Sequence, residues 1–185
     1  MADLSSADLR GANLKRCDFT KANLYSALLG SAECIETNFT EANMAYSSIG
    51  GQYLKNSIFF LANLENSKIQ FSSTIYSIDV FIMDAKLNKS EIKGYQIIDK
   101  NLSNVEMYWA SIIECSFKNI NFDNCNMSKI LVKDSEFINF DLTKANLDDI
   151  ALFSNCDFSG SKIKVKYIEL FQDNVSNFEK ILWQN

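Results

Sequence analysis

From Leu4 onward every fifth residue is apolar for fourteen units: Leu4, Leu9, Leu14, Phe19, Leu24, Leu29, Cys34, Phe39, Met44, Ile49, Leu54, Phe59, Leu64 and Ile69. Two positions before each stands a mostly small residue, such as Ala2, Ala7, Ala12, Cys17, Ala22 and Ala27. The unit is therefore small–x–apolar–x–x. A period of five fits neither a continuous helix, at about 3.6, nor a continuous strand, at about 2. A helix would scatter the column around its circumference, and a strand would send alternate members to opposite faces. The small–x–apolar triplet alone suits a short strand, whose residues two apart face the same way. The other two residues must then turn the chain.

The pattern weakens over residues 70–86 and resumes in a shifted register: Leu87, Ile92, Ile97, Leu102, Met107, Ile112, Phe117, Phe122, Met127, Val132, Phe137, Leu142 and Leu147. One extra residue near Ile150 to Phe153 precedes a last run through Phe153, Phe158, Ile163 and Ile168. The weak stretch carries Ile75, Ile78, Val80, Phe81 and Ile82. That is too apolar for a free loop, so an irregular inward-packed coil is expected, with a docking surface as the alternative. Beyond it, Ile168, Phe171, Val175, Phe178 and Leu182 follow a 3-4-3-4 spacing. That predicts one apolar face of an amphipathic helix, which Asp173-Asn174 and Ser176-Asn177 could break in two. The expected organisation is a repeat body over 1–168 and a helical segment over 169–185 that is either a lid on the last coil or a dimer contact.

The triplets Ala7-Asp8-Leu9, Ala12-Asn13-Leu14, Ala22-Asn23-Leu24, Ala62-Asn63-Leu64 and Cys17-Asp18-Phe19 resemble the pentapeptide-repeat family, whose pattern is A(D/N)LXX. The resemblance reaches to about residue 168 and is densest in the first third. Later units depart from it, with Lys100, Ile120 and Phe140 at the small position. The family resemblance implies an all-β solenoid, a right-handed quadrilateral β-helix, here of about eight coils and roughly 40 Å long at strand spacing. Residues twenty apart would then stack in columns, with Asn23, Asn43 and Asn63 as an outer ladder.

Composition narrows the chemistry. The formal charge is −5 over 185 residues, with no histidine and no proline. Proline's absence predicts few irregular loops. The acidic balance argues against direct nucleic-acid binding, which needs clustered Lys and Arg. No apolar run is long enough for a membrane span, and the N-terminus lacks the order of a signal peptide. A cytoplasmic location is the default expectation, with specialised secretion signals invisible at this level. The usual general base is missing. The five cysteines contain no CxxC pair. Cys17, Cys115, Cys125 and Cys156 fall at the small position and Cys34 at the large one, as small hydrophobes in a core. Gly11, Gly94 and Gly160 fall at turns. No catalytic, metal or cofactor site is expected.

Large apolar residues also fall at outward positions: Tyr25, Ile35, Tyr46, Phe60, Leu61, Tyr108, Trp109 and Ile113. Surface aromatics mark binding patches, so Tyr108, Trp109, Ile113, Phe60 and Leu61 are the candidate partner-binding residues. Ile168, Phe171, Val175, Phe178 and Leu182 are the candidate cap or homodimer contact. Two functions stand open. One is a non-catalytic protein-interaction or scaffold module, such as a domain of a larger bacterial protein or effector. The other, implied by the family's quinolone-resistance members, is a mimic of duplex DNA that binds a type II topoisomerase.

Overall fold

In a computed structural model, the chain winds as a parallel β-solenoid; the structure describes residues 1–51, 54, 56–71, 85–93, 96–98, 102–118, 120–149 and 152–185. Most of the expected irregular coil at 70–86 lies outside these residues, as do Gly94 and Lys100.

Four consecutive bridges fix the cross-section. Asp3 pairs with Asn23, Asp8 with Leu28, Asn13 with Glu33 and Asp18 with Asn38, all parallel. Bridges five residues apart, each reaching twenty residues ahead, make a four-sided coil. On one side the rungs extend into a seven-stranded parallel sheet: Leu28–Gly30, Ser48–Gly51, Lys68–Phe71, Glu91–Lys93, Ser111–Ile113, Leu131–Lys133 and Leu152–Ser154. A second side carries five strands in the order Val175–Ser176, Cys156–Asp157, Glu136–Ile138, Ser116–Lys118 and Gln96–Ile98.

Each position of the repeat has a physical task. The apolar column fills the tube: Leu24, Phe39, Met44, Phe122, Phe137 and Leu142 are wholly buried. Its phenylalanines stack along the axis, Phe19 on Phe39 at 5.4 Å and Phe39 on Phe59 at 4.9 Å. Higher up, Phe137 lies 4.9 Å from Phe117 and 4.8 Å from Phe158. The small position also faces in, and at Thr37 and Ser57 its side chain bonds a main-chain carbonyl of the coil before. Thr37 Oγ1 donates to the Leu14 carbonyl at 2.7 Å and Ser57 Oγ to that of Cys34 at 2.7 Å. Ile120 and Phe140 are buried at this position too, Phe140 packing 5.3 Å from Phe137.

The middle Asp or Asn holds the corner. Its side-chain oxygen accepts the N–H two residues on, as from Arg10 to Asp8 at 3.2 Å, Tyr25 to Asn23 at 3.3 Å and Glu65 to Asn63 at 3.1 Å. These are Asx turns, for which Asp and Asn are suited. Its amide then donates down the stack, from Asn43 to Asn23 at 3.2 Å and from Asn63 to Asn43 at 3.3 Å. The last residue of the unit turns with positive φ, from Ser6 at 58° to Asn155 at 52°.

The stacking step is not constant. Asn43 pairs with Asn63, twenty residues on, but Asn63 pairs with Lys86 and Lys68 with Glu91, 23 residues on. The coil between holds three extra residues. Leu131 pairs with Leu152, a step of 21.

The C-terminal segment departs from the expected amphipathic helix. Helix is confined to three short pieces, Val165–Tyr167, Ile168–Phe171 and Phe178–Lys180. Val175–Ser176 then pairs with Cys156–Asp157, and Leu182–Gln184 with Lys162–Lys164, both parallel. Phe171 is buried against Phe153 and Phe158 at 4.7 and 4.9 Å, while Ile168, Val175 and Phe178 are half-buried and Leu182 faces out. Ile181 and Trp183 pack inward in its place. The helical spacing misled because the last coil leaves an open strand edge, whose N–H and C=O groups need partners. The helix stops at Phe171 and the two short strands supply them, with Asn177 at φ 56° turning the chain between the strands. Among the described residues no helix is long and apolar enough to cross a membrane.

Candidate interaction surface

One corner runs the length of the solenoid as a chain of backbone bonds. The Ser26 N–H donates to the Ala45 carbonyl, Tyr46 to Glu65, Asn66 to Asn88, Lys89 to Tyr108 and Trp109 to Ser128. Tyr25, Tyr46, Tyr108 and Trp109 thus share a single edge. Tyr25 and Tyr46 meet at 5.3 Å between ring centroids, tilted by 54°. Three rungs higher, about 14 Å at strand spacing, Tyr108 and Trp109 meet edge to face at 6.3 Å and 88°. The Lys129 ammonium sits over both, 5.8 Å from the Tyr108 ring and 5.9 Å from the Trp109 ring.

Between the two aromatic pairs lies a cavity of about 250 Å³ lined by Glu65, Asn66, Asn88, Lys89 and Tyr108. Asn88 organises it. Its Oδ1 accepts the Tyr108 N–H at 2.9 Å, and its Nδ2 donates to Glu65 Oε1 at 3.2 Å and to Glu106 Oε2 at 3.1 Å.

The candidate residues do not form one patch. Tyr108 is half-buried and Trp109 is 52% exposed on this corner. Ile113, half-buried, begins the next corner, and Phe60 and Leu61, both exposed, lie on the corner before. Tyr25 and Tyr46 belong with Tyr108 and Trp109 instead. The signal that joins them is the 23-residue step between Asn63 and Lys86, which the fading repeat obscures.

Elsewhere the surface is laced with opposite charges on neighbouring rungs. Lys15 pairs with Glu33 at 2.6 Å, Arg16 with Glu36 at 2.8 Å, Lys144 with Asp123 at 2.7 Å and Lys166 with Asp148 at 3.1 Å. Within a rung, the Arg10 guanidinium bonds the Asp8 carboxyl and holds it down at about 2. Burial pushes the Cys34 and Cys125 thiols up to about 12. Among the described residues no group of three or more His, Cys, Asp or Glu side chains is placed to hold a metal ion.

These features define a four-sided parallel β-solenoid with exposed aromatic residues along one edge. The family model described as Pentapeptide repeats matches residues 2–32 and 17–66, in eight copies. Residues 2–66 carry that family's pentapeptide repeats, and the coils continue beyond the matched third. No curated protein matches it. Among solved structures it is similar to HetL, a pentapeptide repeat protein involved in heterocyst differentiation regulation from the cyanobacterium Nostoc, at 16% identity, covering 86% of this chain and 84% of that one with a TM-score of 0.48. It is similar to QnrB1, a plasmid-mediated fluoroquinolone resistance protein, at 15% identity, with coverages of 88% and 79% and a TM-score of 0.41. A pentapeptide repeat protein of the Arabidopsis thaliana thylakoid lumen matches at 20% identity, with coverages of 70% and 67% and a TM-score of 0.29.

Proposed function

We propose that this chain is a non-catalytic protein-interaction module that presents its aromatic edge to a protein partner. One observation carries the reading. Tyr46 and Trp109 hold positive φ of 61° and 58° at corners where most other residues are polar or glycine. A bulky side chain there costs about 1–2 kcal/mol against the right-handed conformation. The two are 55% and 52% exposed, so burial within the chain does little to offset that cost. Strain kept without folding gain is a pointer to function. Among the described residues the tube interior is filled by side chains such as Leu24, Phe39 and Phe137. The test is photo-crosslinking from position 46 in the native cell, repeated with Trp109→Ala. The reading expects a protein adduct that the variant loses, and an adduct unchanged in the variant would count against this edge.

The DNA-mimic reading has the net charge of −5 in its favour. It needs carboxylates aligned along a face, whereas here Lys15, Arg16, Lys144 and Lys166 neutralise carboxylates on adjoining rungs. We therefore rank it second; inhibition of gyrase supercoiling by added protein would reverse the order. The apolar rim of the last coil, with Leu182 49% exposed and Phe178 half-buried, is the proposed homodimer contact. Sedimentation of Leu182→Asp as a monomer beside a dimeric parent is the outcome that supports it.

A further inference from the structure

We propose that the corner from Tyr25 to Lys129 takes an extended, arginine-bearing segment of the partner, with its guanidinium on the Trp109 and Tyr108 rings and beside Glu65. This rests on the interaction reading and names the partner's chemistry.

The rings already hold a cation. Lys129 Nζ lies within 6 Å of both centroids, the range in which a cation is drawn to an aromatic face. The two rings are nearly perpendicular, so the lysine sits in an aromatic angle. Trp109 nonetheless keeps about half its surface open. Lys129 is thus an internal occupant of a site whose chemistry suits a second cation.

The adjoining cavity adds negative charge. Glu65 and Glu106 both bond the one amide of Asn88, which brings two carboxylates together beside Tyr108. A planar guanidinium can stack on an indole and fork to a carboxylate at once, which an ammonium cannot. Lys89 also lines the cavity, so a carboxylate-bearing segment is the competing occupant. The net charge of −5 favours encounter with a basic one.

Spacing supplies the third argument. The aromatic pairs stand three rungs apart, about 14 Å. Residues i and i+4 of an extended chain, on one face, are separated by nearly the same distance, about 13 Å. An apolar side chain on Tyr46 would therefore place an arginine four residues on at Trp109.

The test uses the whole chain and fluorescein-labelled nonapeptides with leucine and arginine four residues apart, against copies with glutamate or leucine in place of arginine. Fluorescence anisotropy should find the arginine peptide bound about tenfold more tightly than either copy, and Trp109→Ala should remove most of that affinity. Glu65→Gln should weaken it several-fold. Lys129→Ala should tighten it several-fold, because the internal competitor is gone; a merely structural lysine would not do so. Unchanged circular dichroism of each variant excludes misfolding. Equal binding of the glutamate or leucine copy, weaker binding by Lys129→Ala, or no Trp109-dependent binding at millimolar protein overturns the proposal. In the first case, binding that still depends on Trp109 leaves the interaction reading standing without its basic partner. Loss of the crosslinked adduct's dependence on Trp109 would remove that reading itself.

Discussion

Two adjacent phenylalanines offer a sharp contrast. Phe59 lies in the inward column, 3% exposed and stacked 4.9 Å from Phe39, whereas Phe60 begins a corner and is 38% exposed. Replacing Phe59 by alanine removes a ring from a filled tube. Buried phenylalanine-to-alanine changes cost about 3–5 kcal/mol, from lost transfer energy and the cavity left behind. In a chain of this size each kcal/mol moves the midpoint by about 2–4 °C, so Tm should fall by roughly 6–20 °C. Phe60→Ala lacks a cavity term and should stay within about 1 kcal/mol of the parent. Urea unfolding followed by circular dichroism, with thermal melts beside it, measures both. Equal losses, or a larger loss for Phe60, would refute the assignment of the column to the interior.

Three further outcomes follow from the same packing. Among the cysteines, half-buried Cys17 should react with a thiol reagent in the native protein at pH 8, while buried Cys34, Cys115, Cys125 and Cys156 wait for unfolding. With thiols at about 12, the thiolate fraction of Cys34 and Cys125 at pH 8 is only about one in ten thousand. These two thiols also set a pH dependence. Unfolded thiols lose their protons near 9 and the folded ones near 12, so stability is full below pH 9 and falls as pH rises towards 12; alkaline urea titrations of Cys34→Ala and Cys125→Ala should show a shallower fall. Asn43→Ala loses its corner bond to Ala45 and its ladder bonds to Asn23 and Asn63, and should cost about 1–2 kcal/mol in urea unfolding. Leu24→Asp places an unpaired charge at a wholly buried position and should leave no cooperative transition.

Much of the tube is legible in the sequence because its period has one physical meaning. Leu24, Met44 and Leu64 recur at twenty residues and are buried as a column. The amide ladder of Asn23, Asn43 and Asn63 is legible for the same reason. The C-terminal segment is less so. The spacing of Ile168, Phe171, Val175, Phe178 and Leu182 is helical, but backbone groups on the last coil's open edge outweigh a side-chain pattern. The aromatic edge lies between these cases. Tyr25, Tyr46, Tyr108 and Trp109 are all readable as outward, yet their alignment depends on a coil three residues longer than the ordinary twenty. No local pattern announces that length.

That step carries the shared edge and can be measured by cross-linking. Lys68 and Glu91 are direct partners on neighbouring strands, 23 residues apart. Their Cα separation, about 4.8 Å at strand spacing, falls within the range of about 4.4–6.8 Å that a disulfide spans. Lys68→Cys with Glu91→Cys should close a disulfide under mild oxidation, read by peptide mass spectrometry. Lys68→Cys with Asn88→Cys, at the ordinary twenty-residue step, should not. Bridging of Lys68→Cys to Asn88→Cys, with Glu91→Cys left free, would contradict the stacking and separate Tyr108 and Trp109 from Tyr25 and Tyr46.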